Sequence, residues 1–174
     1  MKGSKAIVII GVGSLLLLFV VIGSVFSPSL IEINNQADLK VNKSQLFDSL
    51  KSVSFWESWI WEEKDPSLEI EHLSGNEKGM VWKSDYEGKG GFKIIEIEGD
   101  SAINYELVTD NQTFIEHGRI VLKGDENQTE ITLKTKVDFS TNIRARYMSY
   151  FNDYNEMFSN YQKSQLERLN KLLK

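Results

Sequence analysis

The chain contains no cysteine, which excludes disulfides, thiolate metal sites, a cysteine nucleophile and a lipid-bearing thiol. His72 and His117 are its only histidines. Neither has a second histidine or a carboxylate at metal-ligand spacing, so no metal and no cofactor are expected. No G-x-S-x-G run and no histidine-paired serine occurs, which leaves a hydrolase triad without support. Lysine and arginine form no block, and the 174 residues carry a net charge of −5. Such an acidic chain is a poor match for phosphate backbones, so nucleic acid is not an expected partner.

Residues 6–26 are a 21-residue stretch without a charge that opens on AIVIIGVGSLLLL. As a helix it would reach roughly 30 Å, the thickness of a bilayer core. Lys2 and Lys5 precede it, leaving −7 for the residues after position 27. The positive-inside bias therefore predicts a single-pass anchor over residues 1–27, with a cytoplasmic N-terminus and an extracytoplasmic domain over residues 28–174. A cleaved signal peptide is the competing reading, but its apolar core would be unusually long and Pro28 would follow the cut.

After Pro28 the pattern is that of a folded α+β domain. Hydrophobic residues make up 41% of the chain, enough to build a core. Leu30–Lys40 alternates weakly as a first strand, and Asn42 with Gln45 marks a helix start. A tryptophan-rich stretch follows, with Trp56, Trp59 and Trp61. Strands are then expected at 68–73, 80–84, 92–97, 103–108, 114–122 and 129–139, separated by turn residues and forming an antiparallel meander. On the last of these Ile131, Leu133, Thr135, Val137 and Phe139 share one face. From Asn142 to Leu173 the residues Tyr147, Tyr150, Phe151, Tyr154, Met157, Phe158, Tyr161, Leu166 and Leu169 recur at helical spacing. No glycine or proline interrupts them, so one long helix is expected, capped by Ser140 or Thr141. An aromatic stripe of this length needs an apolar surface, and six or seven strands curled around it would supply one.

Four segments carry a resemblance. Trp56–Pro66 (WESWIWEEKDP), Gly88–Ile97 (GKGGFKIIEI), Ile103–Leu107 (INYEL) and Thr129–Val137 (TEITLKTKV) occur in this order. They resemble the polyketide cyclase/dehydrase branch of the SRPBCC superfamily, and Lys163–Leu173 is similar to the closing helix of that family. Ser164 and Gln165 stand where the family often has a glycine. The resemblance implies a START-like helix-grip fold that binds hydrophobic ligands between the sheet and the final helix.

A curved sheet held off a helix by large side chains tends to leave a cavity. The expected lining is Trp59, Trp61, Trp82, Tyr105, Phe114, Leu133, Tyr147, Phe151, Tyr154 and Phe158, and a filled core is the alternative for each. Strict alternation from Phe114 to Leu122 carries Glu116 inward, where burial would raise its pKa and suit it to acid–base work. A bulge near Gly118 would instead reset the alternation and put Glu116 in water, and the sequence alone favours the bulge. The leading functional reading is a membrane-tethered domain that binds a hydrophobic or amphipathic small molecule, such as a lipid, without covalent catalysis. A cyclase- or dehydrase-type enzyme using Glu116 or Tyr105 is the second reading. A protein-interaction or envelope-stress module with a vestigial cavity is the third, its partner unspecified.

Overall fold

A computed structural model describes residues 14, 18, 21–23, 29–61, 65–75, 77–86, 88–109, 114–140 and 142–173. Seven strands form one antiparallel sheet: β1 (Leu30–Leu39), β2 (Glu69–His72), β3 (Gly79–Ser84), β4 (Gly88–Glu98), β5 (Ala102–Thr109), β6 (Phe114–Gly124) and β7 (Thr129–Asp138). Their order across the sheet is β1-β7-β6-β5-β4-β3-β2, so the six later strands are a simple meander and β1 closes its far edge. The alternation in β7 fits a strand paired on both edges with one face in the core. Thr129, Ile131, Leu133, Thr135 and Val137 are buried while Lys134 and Lys136 are exposed. β4 begins at Gly88 and not at Phe92, because Gly88–Gly91 pair with β3 as strand and do not form a turn.

Among the described residues four helices pack with the sheet: α1 (Lys43–Leu50), α2 (Val53–Ile60), α3 (Ile143–Phe151) and α4 (Tyr154–Leu172). Asn42 starts α1 by accepting from the backbone N–H groups of Ser44 and Gln45. The expected single C-terminal helix is two. Asn152 leaves α3 in an extended conformation, and the Asp153 carboxylate accepts from Glu156 N at 3.0 Å to open α4. An Asn-Asp pair thus breaks the helix where no glycine or proline does, because both side chains compete for backbone groups at a helix end. The N-cap of α3 is Asn142, which accepts from Ala145 N, rather than Ser140 or Thr141.

The main core lies between the concave face of the sheet and α1, α2 and α4. Leu166 and Leu169 of α4 meet Leu46, Leu50, Trp56, Trp59, Met80, Phe92, Ile103, Ile120 and Ile131 there. A second cluster joins Ile31, Ile33, Val137, Phe139 and Ala145, with Phe114, Tyr154 and Phe158 against it. Most of the run 6–26 lies outside the described residues. Among those described, no helix is long and apolar enough to cross a membrane.

Candidate functional site

Two cross-strand pairs of an aromatic ring and a glycine shape the concave face. Trp82 stands opposite Gly90, and Tyr105 opposite Gly118. A Cβ at Gly90 would collide with the Trp82 indole, and one at Gly118 with the hydroxyl end of the Tyr105 ring. The glycines therefore let both rings lie flat along the sheet instead of standing off it. Trp56 completes the wall, its ring centroid 4.3 Å from Phe92 and 4.9 Å from Tyr105.

Register through β6 is unbroken against both neighbours, so Glu116 faces the same side as Gly118, Ile120 and Leu122. The expected bulge is elsewhere. It falls in β4 between Ile94 and Glu96, and turns Ile95 out to solvent. The sequence preference for a solvated Glu116 is thereby overturned.

The Tyr105 hydroxyl, reaching across Gly118, donates to Glu116 Oε1 at 2.8 Å, and the Thr135 hydroxyl donates to the same oxygen at 3.3 Å. Thr135 in turn accepts from Gln162 Nε2 at 2.5 Å, and Gln162 Oε1 accepts from Asn35 Nδ2 at 2.8 Å. One polar chain thus links β5, β6, β7, α4 and β1 inside an apolar core. Among the described residues no group bonds Glu116 Oε2. Burial raises the Glu116 pKa, and the bonds from Tyr105 and Thr135 offset only part of that rise. Glu116 retains some accessible surface because it faces a cavity, although protein surrounds it on every side. Tyr105 is raised well above its ordinary value by its burial first and by the nearby Glu116 second.

That cavity has two chambers. The outer one encloses about 460 Å³ and is lined by Trp82, Tyr86, Phe114, Val137, Met157 and Phe158 among others. The inner one, about 40 Å³, lies among Trp56, Trp59, Phe92, Tyr105, Leu133 and Gln162. Leu107, Glu116 and Tyr161 line both. The carboxyl therefore stands at the junction, between a space the size of a small-molecule site and one that holds about a water or two.

Of the expected lining, Trp59, Trp82, Tyr105, Phe114, Leu133 and Phe158 reach these chambers. Trp61 is buried edge-on against Trp82 instead. Tyr154 packs on Phe139 in the second cluster. Tyr147 and Phe151 contact each other on α3, and Phe151 is largely exposed, since the break at Asn152 turns α3 away from the cleft. Sequence reasoning missed Tyr161, Gln162 and Thr135. Thr135 is a polar residue on an otherwise apolar strand face, and Gln162 lies four residues from both Phe158 and Leu166. Those misplaced polar groups were the available signal. His117 is exposed near Glu106, and His72 lies 3.1 Å from Glu57, both away from the chambers.

The tryptophan helix closes the inner end. Trp59 Nε1 donates to the Gln165 carbonyl at 2.8 Å, and Arg168 donates to the carbonyls of Ser58 and Ile60. Gln165 is thus at a docking point between α2 and α4. Asp65 at the end of the tryptophan segment accepts from Ser84 and Ser67, and these bonds hold its carboxyl below the usual range. Its role is to fasten that segment to the end of β3.

No protein-family model and no curated sequence matches the chain. Solved structures do. The ARO/CYC di-domain protein BexL of the BE-7585A biosynthetic pathway aligns with a TM-score of 0.58 at 9% identity, over 84% of this chain and 50% of BexL. The fold is a helix grip. Protein CV1439 of Chromobacterium violaceum shares it with a TM-score of 0.54 and 12% identity, over 82% of this chain and 96% of that protein. So does the Aha1 dimer of Colwellia psychrerythraea, with a TM-score of 0.54 and 14% identity, over 82% and 96%. Proteins of such different description on one scaffold show that the function must be argued from the site.

Proposed function

We propose that the cleft takes up an apolar, carbonyl-bearing small molecule and that Glu116 acts on it as a general acid–base, in a condensation or dehydration of cyclase/dehydrase type. The observation that carries this reading is the buried carboxyl at the junction of the two chambers, with one oxygen held by Tyr105 and Thr135 and the other bonded by none of the described residues. A protonated Glu116 would donate from Oε2 to a substrate carbonyl. As carboxylate, the same oxygen would take the α-proton, with Tyr105 steadying the charge on Oε1. The apolar lining suits an oligoketide or aromatic body, and the helix grip shared with an ARO/CYC protein supports the class at the level of fold.

A poly-β-keto thioester offered to the full chain should be consumed, and Glu116→Gln should lower turnover by about 10²–10⁴-fold, the usual worth of a positioned acid–base. Tyr105→Phe should lower it less and move the pH profile. If the native chain binds such a molecule, seen in tryptophan fluorescence, but turns over none, the catalytic reading fails. The remaining reading is then a binding domain for an apolar or amphipathic ligand, which the same apolar walls favour.

A further inference from the structure

The outer chamber opens at the end of the sheet where the apolar run joins the domain. Leu30, the first residue of β1, pairs with Asp138, the last of β7, and Ser29 accepts a backbone bond from Phe139. At this same end β6 begins, β5 finishes and β3 finishes, and these strand ends supply Phe114, Thr109 and Trp82 to the chamber. α3 sits here too, with the Tyr147 ring against Gly23. Three of its apolar side chains expose much of their surface: Ile143 is 66% exposed, Phe151 58% and Met148 42%. The helix also carries Arg144 and Arg146 and no acid, in a chain whose net charge is −5.

We propose that α3 and the rim of the outer chamber rest on an anionic lipid bilayer, so that the chamber opens at the lipid surface. Two features select this occupant over a protein. In the sequence only three residues separate the 21 uncharged residues at positions 6–26 from Leu30, at this end of the sheet. At this same end α3 carries arginine without an acid in an acidic chain, and combines it with exposed apolar side chains as interfacial helices do. The proposal does not depend on acid–base chemistry at Glu116, because its readout is lipid contact.

The absence of cysteine allows a single fluorescent label at a chosen site. The full chain is placed in phosphatidylcholine vesicles with and without a quarter phosphatidylglycerol, labelled at Phe151→Cys, at Met148→Cys as a second site, or at Ile95→Cys. Ile95 lies on the bulge of β4, toward the opposite end of the sheet. Lipids carrying a quencher should dim the labels at 151 and 148 several-fold more than the label at 95. Phosphatidylglycerol should strengthen the effect, and Arg144→Glu should cut the docked-to-undocked ratio by about fivefold per unit of charge. Equal quenching at 151, 148 and 95 would overturn the proposal. So would quenching indifferent to phosphatidylglycerol, or a stable dimer in detergent that buries the labels at 151 and 148 and assigns this face to a second copy.

Discussion

Glu116 and Gly118 are two residues apart on one strand and depend on each other. Tyr105 can reach the carboxyl only because position 118 has no side chain. Gly118→Ala should therefore expel the ring and destabilise the chain by about 1–3 kcal/mol, as overpacking does, measurable by chemical denaturation. The raised pKa of Glu116 has a definite consequence for stability. Below the ordinary glutamate pKa both folded and unfolded chains hold the proton, and the contribution of this group is intact. As pH rises toward the folded-state value the unfolded chain ionises first, so stability is lost across that window. Glu116→Gln should flatten this fall, giving a stability profile less dependent on pH above the ordinary carboxylate range.

At the scale of elements, the division between α3 and α4 separates two tasks. α4 buries Gln162, Leu166 and Leu169 against the sheet, while α3 leaves Ile143, Met148 and Phe151 exposed. Asp153→Ala removes the cap of α4 and should cost about 0.5–2 kcal/mol. Leu169→Ala, at a site with no exposed surface, should cost about 2–5 kcal/mol, read in the same denaturation experiment. The helix break was not legible in the stripe of apolar residues, since Tyr147 and Phe151 keep the helical period right up to it. It resides in the polar pair Asn152-Asp153, which the stripe passes over. The strands other than β4 were legible to within two residues, because those like β7 and β6 alternate one face in the core and one in water. Glu116 was legible only as one of two alternatives. Glycine at 118 fits a bulge as well as a ring laid over the backbone, and only the pairing of Tyr105 with Gly118 decides between them.

For the whole molecule, the polar chain from Asn35 to Tyr105 ties the edge strand, the closing helix and the sheet centre to the chemistry of one carboxyl. Such a network could not be read from sequence, because its members come from five separate elements and each alone resembles an ordinary core or surface residue. Gln162→Leu would cut the chain at α4 and leave the Thr135 hydroxyl without its donor, at a cost of about 1–3 kcal/mol. The most direct test of the account is an NMR titration of the Glu116 side-chain carboxyl carbon in the full chain. A midpoint above the ordinary glutamate range, falling when Gly118→Ala opens the site to water, is the expected result. A midpoint at or below that range would contradict a carboxyl buried at the junction of the two chambers.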